Sequence, residues 1–143
     1  TDSSSDWGSV SNDVYFRDKA TGLVYYKDSS GVVNKLFNDK TLTTVASTAT
    51  LTVDSDTTDL AKITAQAEAL AIAAPTGTPI DNQSIWFRIE DDGTTRNITL
   101  NAIFVDYTGN FPSATTVSKK LIFAAKYDSD DTKWNILAWK IEP

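Results

Sequence analysis

The stretch Ile63–Pro79, ITAQAEALAIAAPTGTP, decides between a helical and an all-β reading of this chain. Its alanines are strong helix formers, so composition alone favours a helix. A helix that packs on a core needs large apolar residues at positions i, i+3, i+4 and i+7, and the few in this stretch do not form that stripe. Leu70 and Ile72 share a strand face instead, and the segment ends in Pro and Gly turn residues. We therefore predict two strands, at about 60–65 and 69–73, with one short helix as the alternative.

Two downstream segments have the pattern of β-hairpins. SIWFRIEDDGTTRNITL, residues 84–100, contains Asp92-Gly93, the strongest short-range hairpin signal. KKLIFAAKYDSDDTKWNILAWKIE, residues 119–142, is largely apolar on both strand faces. A strand that is apolar on both faces is buried on both, so we expect a second subunit to cover its outer face.

The upstream segment VYFRDKATGLVYYKDSSGVVNKLF, residues 14–37, contains two near-copies of one pattern. Each copy has two aromatic residues, a basic residue, Asp and a small polar turn that ends in Gly22 or Gly31. Asp caps such turns and Gly supplies the positive φ, so the segment predicts a three-stranded β-meander.

About ten short strands separated by turn residues predict an all-β chain, an antiparallel β-sandwich or jelly roll with an N-terminal β-meander and arm. We divide it into residues 1–50, which are the arm, the meander and an extended connector, and residues 51–143, the sandwich. The arm is polar and contains one aromatic residue, Trp7, which we expect to anchor it to a partner or to the body of its own protein.

The chain is acidic, with 19 Asp and Glu against 13 Lys and Arg and a net charge of −6. This balance argues against a surface for nucleic acid or for anionic membranes, because both need clustered cations. No apolar run approaches the roughly 20 residues of a membrane span. The chain has no Cys, so it contains no disulfide framework.

Catalytic and metal-binding patterns are weak. Nucleophilic triads normally need a His as base, and the chain has none. Carboxylates for glycoside cleavage could come from Glu68, Glu90, Asp91 or Asp92, although the last three lie at the predicted hairpin turn, where acids are ordinarily structural. The Asp-rich runs at 54–59 and 128–131 could bind Ca²⁺ but lack the Gly and Glu of an EF-hand loop, so we interpret them as turns capped by Asp. We expect no enzyme, no metal and no cofactor.

The aromatic residues are the better functional signal. On its predicted strand Trp86 shares a face with Arg88 and Glu90, away from the Ile and Phe residues. Such a Trp is a subunit-interface anchor, a platform for stacking sugars, or a core residue whose indole N–H finds a partner. The residues that we predict to lie at an attachment or trimer interface are Trp7, Tyr15, Tyr25, Tyr26, Trp86, Arg88 and Trp139.

Residues 51–143 resemble a β-sandwich module of tailed-bacteriophage virion proteins. The motifs that carry the resemblance are the turn PTGTP, the hairpin RIEDDGTTR and the terminal hairpin that contains YDSDDTKW. That module occurs in capsid decoration proteins, head fibres and tail-fibre tips. The resemblance implies a homotrimer displayed on the exterior of the virion, with no catalytic or metal-binding residues to carry over. Residues 14–37 lie outside the match and resemble the short aromatic hairpins that often precede such modules.

We therefore expect a decoration protein that binds the major capsid protein of the same particle and stabilises the head by clamping neighbouring capsid subunits. The alternative is the tip of a tail fibre that recognises a host surface glycan. The decoration role is favoured because the chain is short, has no long repetitive shaft and starts with an arm.

Overall fold

The structure, a computed structural model, describes residues 14–17, 24–35 and 41–142. All regular secondary structure in these residues is β-strand, so the all-β prediction is confirmed. The chain divides into two compact units between Asp39 and Lys40.

The first unit is an antiparallel sheet of three strands in the order β1-β2-β3. Their bounds are β1 Val14–Arg17, β2 Val24–Lys27 and β3 Val33–Lys35. In the turn between β2 and β3 the Asp28 carboxylate accepts hydrogen bonds from the Ser30 N–H (3.0 Å), the Ser30 hydroxyl (2.6 Å) and the Val32 N–H (2.9 Å). Gly31 follows with φ of 86°. The predicted meander is confirmed, while its first turn with Gly22 lies outside the described residues.

The second unit has nine strands in two sheets. The six-stranded sheet has the order β10-β12-β11-β8-β6-β4, and the three-stranded sheet has the order β5-β7-β9. The bounds are β4 Thr41–Val45, β5 Thr50–Leu51, β6 Thr58–Gln66, β7 Leu70–Ile72, β8 Ser84–Asp91, β9 Ile98–Leu100, β10 Phe104–Val105, β11 Lys120–Asp128 and β12 Lys133–Glu142.

From β4 to β9 the chain alternates between the two sheets, so that it forms three coils stacked in parallel. Each coil consists of one strand from each sheet: β4 with β5, β6 with β7, and β8 with β9. Backbone hydrogen bonds continue through the corners, where the Ala65 N–H donates to the Ala46 carbonyl (2.9 Å) and the Asp92 N–H to the Gln66 carbonyl (3.2 Å). This arrangement resembles a short β-helix, in which each coil satisfies the backbone of the next.

A C-terminal hairpin completes the larger sheet. Strands β11 and β12 pair antiparallel, β11 also pairs antiparallel with β8, and β10 pairs parallel with one end of β12. A β-bulge shifts the register of β12 between Ala124 and Ala125 of β11. The hairpin predicted at residues 119–142 is confirmed.

The core lies between the two sheets. Ile63, Phe87 and Phe123 from the larger sheet are buried together with Ile72 and Ile98 from the smaller one. The rings of Phe87 and Phe123 stack with centroids 4.5 Å apart. A fully buried side chain of this size contributes about 1.5–3 kcal/mol to the free energy of unfolding relative to an exposed one, so these buried side chains hold the coils together.

The stretch that opened the sequence analysis is β6, a corner and β7, so the two-strand interpretation is confirmed. The corner is organised by Gln66, whose side chain is fully buried. Its Nε2 donates to the carbonyls of Thr48 and Glu68 (both 2.8 Å), and its Oε1 accepts from the Thr48 N–H (3.2 Å). The amide therefore replaces the backbone partners that two successive corners lose where the chain turns.

Two details of the predicted fold are wrong. The segment 84–100 is not a hairpin, because β8 and β9 lie in different sheets and Asp92-Gly93 forms a corner between them. The antiparallel expectation holds for β8, β11 and β12, but β4 to β9 pair in parallel within each sheet. In addition, Thr41–Val45, part of the expected connector, forms strand β4 of the larger sheet.

Candidate interaction surface

Trp86 lies on the outer face of the six-stranded sheet. Its neighbours in β8, Ile85 and Phe87, point into the core and are fully buried, whereas Trp86 is 52% exposed. The core tryptophan of the second unit is instead Trp134, which is 1% exposed. Strand alternation therefore places a large apolar side chain in solvent on a face that the described residues leave open.

The strand register extends this feature into a continuous row, which we call the apolar row. Cross-strand partners run from β4 through β6, β8 and β11 to β12. The members of the row are Leu42, Leu60, Trp86, Ala124 and Ala138. Leu42 is 56% exposed, and Leu60 is half-buried. At about 4.8 Å between strands, the row extends roughly 20 Å across the sheet.

A second row runs beside the first, and we call it the cation row. Its cations are Lys62, Arg88 and Lys140, with Ile122 between the last two. The Arg88 guanidinium lies 3.9 Å from the Glu90 carboxylate, a distance that gives only a weak pairing. The Arg88 Nε is buried without a hydrogen-bond partner. In the described part of the chain, the two lysines of this row form no ion pair.

Trp139 is the second exposed aromatic residue of the hairpin. By register it lies opposite Phe123, yet it is 37% exposed. It is accessible because β10 pairs with β12 only at Trp134 and Asn135, so the rest of that edge of β12 has no strand beside it in the described residues. Trp139 and Trp86 line a shallow groove of about 240 Å³ together with Ile122, Phe123, Ala138, Lys140 and Glu142.

The predicted aromatic residues of the meander lie in the first unit. Tyr15 and Tyr26 are cross-strand partners with ring centroids 5.0 Å apart. Tyr15 is 68% exposed, whereas Tyr25 and Tyr26 are half-buried. The first unit therefore presents one exposed tyrosine supported by a second ring. Trp7 lies outside the described residues.

The candidate catalytic carboxylates have separate structural settings. Asp91 is buried and accepts hydrogen bonds from the N–H groups of Gly93 (2.8 Å) and Ser118 (3.1 Å), while Glu90 lies on the outer face. Asp92 binds Arg96 at 2.8 Å, and this hydrogen bond holds the pKa of Asp92 below its ordinary value. Glu68 is exposed. The acids of this corner therefore act mainly as partners for turn backbone and for an arginine.

Four acids and one exposed apolar residue form a second surface feature, which we call the acidic turn patch. It consists of Ile80, Asp81, Asp128, Asp130 and Asp131. The Ser129 N–H donates to the Asp81 carboxylate (3.2 Å), which ties the two turns together. Ile80 is 72% exposed. An open groove of about 350 Å³ adjoins the patch and is lined by Asp81, Asn82, Lys126, Tyr127, Asp128, Asp130, Asn135 and Leu137.

The parts of the chain that the structure describes contain neither a cluster of metal-ligand residues nor a membrane-spanning helix. No group of three or more His, Cys, Asp or Glu residues is arranged to hold a metal ion in residues 14–17, 24–35 and 41–142. The same residues contain no helix long and apolar enough to span a membrane.

Sequence reasoning singled out Trp86, Arg88 and Trp139 but missed Leu42, Leu60 and the acidic turn patch. Leu42 was assigned to a connector, and Leu60 acquires its role only from parallel pairing with β8. Ile80 was available as a signal, because a lone large apolar residue between Pro79 and Asp81 in a turn is exposed.

Comparisons with known proteins assign no family to this chain. No family model matches it, and no curated protein matches it. Among solved structures it is similar to a chain of "Structure of a chaperone-substrate complex", with 13% identity and a TM-score of 0.35. The match covers 85% of this chain and 20% of that chain, so this chain spans about a fifth of the other's length. The likeness is too weak to assign a fold or a function.

Proposed function

We propose that this chain is a structural protein of a bacteriophage virion, a homotrimeric decoration protein on the exterior of the capsid that carries out no catalysis. The second unit is the trimeric knob, with two facing sheets in a sandwich-type body. The first unit and the N-terminal arm attach the knob to the major capsid protein. The single observation that supports this proposal most is the exposed apolar row on the outer face of the larger sheet.

The apolar row supports a role in assembly because its side chains are neighbours across the sheet, whereas the exposed apolar residues that need no explanation are scattered singly. The row is about 20 Å long and one side chain wide. Leu42, Trp86 and Ala138 are exposed in it, so we assign it the apolar centre of a subunit interface, which as a whole buries roughly 800 Å² per partner. Trp86 lies in the middle of the row, where a rigid aromatic anchor contributes most to binding.

The attachment role of the first unit is supported by Tyr15, which is exposed and backed by the ring of Tyr26. A supported aromatic ring loses little conformational freedom when a partner covers it. A chain that binds only the assembled shell stabilises that shell by mass action, and a trimer adds three such attachments at once.

Binding to purified heads tests this function. The chain is added to tail-free capsids that lack it, bound protein is measured by sedimentation, and capsid stability is measured by thermal release of the genome. We expect saturable binding and a higher release temperature. We expect Tyr15→Ala to weaken capsid binding and to leave the oligomeric mass of the protein unchanged. Val32→Ala in the same unit is the control, because Val32 is 54% exposed and the variant keeps the backbone N–H that binds Asp28. Binding to tails or host cells but not to heads would contradict the decoration role.

A glycan-binding fibre tip is the second candidate, and the groove between Trp86 and Trp139 favours it. Exposed tryptophans beside charged side chains form platforms on which sugar rings stack, and Lys140 and Glu142 line the same groove. A glycan array tests this candidate directly. Binding that is lost in Trp86→Ala but kept in Tyr107→Ala, an exposed aromatic residue that does not line this groove, would favour the fibre tip over the decoration protein.

A further inference from the structure

Two surfaces of the second unit carry opposite charge, and both include exposed apolar side chains. The cation row has three cations and no anion, and it lies directly beside the apolar row. The acidic turn patch has four carboxylates on two turns that are joined by the bond from Ser129 to Asp81, and the exposed Ile80 directly precedes Asp81. In the described residues, the side chains of Asp130 and Asp131 make no hydrogen bond or ion pair.

The two surfaces are too far apart to neutralise each other within one copy. Along β11, Asp128 of the patch is six residues from Ile122, which lies in the cation row. At about 3.3 Å per residue this is roughly 20 Å, beyond the Debye length of about 8–10 Å at physiological salt. The apolar row lies between them. Within each surface the charge is only partly offset. Glu90 and Glu142 flank the cation row with Lys120 between them, and Lys126 is the cation that lines the groove beside the patch. In an isolated chain the two surfaces therefore keep net charges of opposite sign.

The acidic turn patch is also held in shape. The Asn82 N–H donates to the Tyr127 carbonyl (3.0 Å), and the Asp130 N–H donates to the Asp128 carboxylate (3.0 Å). Together with the bond from Ser129 to Asp81, these contacts fix the turn before β8 against the turn between β11 and β12. A surface fixed before binding loses less conformational entropy when it docks.

We propose that the acidic turn patch of one copy docks on the apolar row and the cation row of a second copy. Ile80 covers part of the apolar row beside Trp86, and the carboxylates pair with Lys62, Arg88 and Lys140. This inference rests on the proposed oligomer and names the two surfaces that form its contact. A contact of cation row against cation row is disfavoured, because it places like charges together.

Charge reversal tests the contact. The face-reversed variant carries Lys62→Glu and Lys140→Glu, the turn-reversed variant carries Asp130→Lys and Asp131→Lys, and the swapped variant carries all four changes. Lys119→Glu, an exposed lysine outside both rows, is the control. Oligomeric mass is measured by light scattering across protein concentration at low and high salt, and circular dichroism checks that each variant is folded.

We expect the unchanged chain to self-associate, with an affinity that falls as salt rises. Each reversed variant weakens association by about tenfold or more, the swapped variant regains most of it, and the control leaves it unchanged. A monomer of 15.6 kDa at all concentrations for the unchanged chain would overturn the proposal. A folded swapped variant that associates no better than either reversed variant would also overturn it. Charge-dependent self-association without capsid binding would refute the decoration role and support this contact. Capsid binding by an oligomer whose affinity does not change with salt would refute this contact and support the decoration role.

Discussion

Replacing Gln66 with Ala is expected to be among the most destabilising single changes outside the apolar core. The side chain is fully buried and serves three backbone groups: the Thr48 N–H, the Thr48 carbonyl and the Glu68 carbonyl. A hydrogen bond contributes about 0.5–1.5 kcal/mol net, and a buried group left without a partner costs about 1–3 kcal/mol. The corner around Thr48 is only partly buried, so water reaches some of these groups. We therefore expect a loss of about 2–4 kcal/mol in the free energy of unfolding.

Urea unfolding followed by tryptophan fluorescence measures this loss, with Trp134 as the buried reporter. Glu68→Ala is the matched control, since Glu68 is exposed at the same corner, and its effect is expected within about 0.5 kcal/mol. Gln66→Leu keeps the volume and removes the polar groups, so it should destabilise about as much as Gln66→Ala. A loss below about 1 kcal/mol in both Gln66 variants would refute the view that this amide links the first two coils.

Three further changes test other parts of the structure. Gly77→Ala should lower the free energy of unfolding more than Gly93→Ala does, as measured by thermal or urea unfolding. Gly77 and Gly93 both have positive φ (90° and 95°), which costs a residue with a Cβ about 1–2 kcal/mol. A Cβ at Gly77 would also lie 2.7 Å from side-chain oxygens of the neighbouring turn. Equal losses would contradict the close approach. The pKa of Asp106 is lowered, chiefly by the hydrogen bond from the Thr108 hydroxyl. The ionised carboxylate therefore stabilises the folded protein fully above the unfolded pKa of about 3.9, and this contribution to the free energy of unfolding is lost as pH falls through the folded pKa. Asp106→Asn should therefore flatten the fall of the melting temperature in acid, and an unchanged acid profile would count against it. Trp86→Ala should change unfolding by less than about 1 kcal/mol, because the side chain is half exposed, yet lower the oligomeric mass in light scattering. A large loss of stability in the monomer would instead mark Trp86 as a structural residue.

Local sequence pattern was enough to find several strands. The alternation around Leu70 and Ile72 outweighed the helix preference of the alanines, because tertiary packing overrides weak intrinsic propensity. The hairpin of β11 and β12 was found because its two strands are adjacent in sequence and joined by an Asp-rich turn.

Parallel pairing could not be predicted in the same way. Ala61 of β6 pairs with Phe87 of β8, and a second strand in the other sheet lies between them in sequence. No turn motif encodes such a distant pairing, so Asp92-Gly93 looked like a hairpin turn although it forms a corner. The corner is stabilised by Asp91, whose carboxylate binds the Gly93 N–H and the distant Ser118 N–H.

The candidate surface was predictable only in part. Trp86 was recognised because its face neighbours are charged, which is a local signal. The row to which it belongs needs Leu42 and Leu60 in parallel register, and the acidic turn patch needs two distant turns held together by the bond from Ser129 to Asp81. Both are products of tertiary pairing.

The C-terminal hairpin of β11 and β12 also affects the order in which the strands of the second unit form. Closing a short loop between β11 and β12 is fast, whereas parallel strands must first join residues far apart in the chain, which makes their pairing slow. We expect β11 and β12 to form the template on which β8, then β6, then β4 are added, so that growth runs from the C-terminal strands back toward the earlier ones. Pulse-labelled hydrogen exchange would detect this as early protection of the Phe123 amide and late protection of the Thr43 amide. A nascent chain from which only β4 to β9 have left the ribosome would therefore lack this template. The second unit would fold only after β12 has been synthesised.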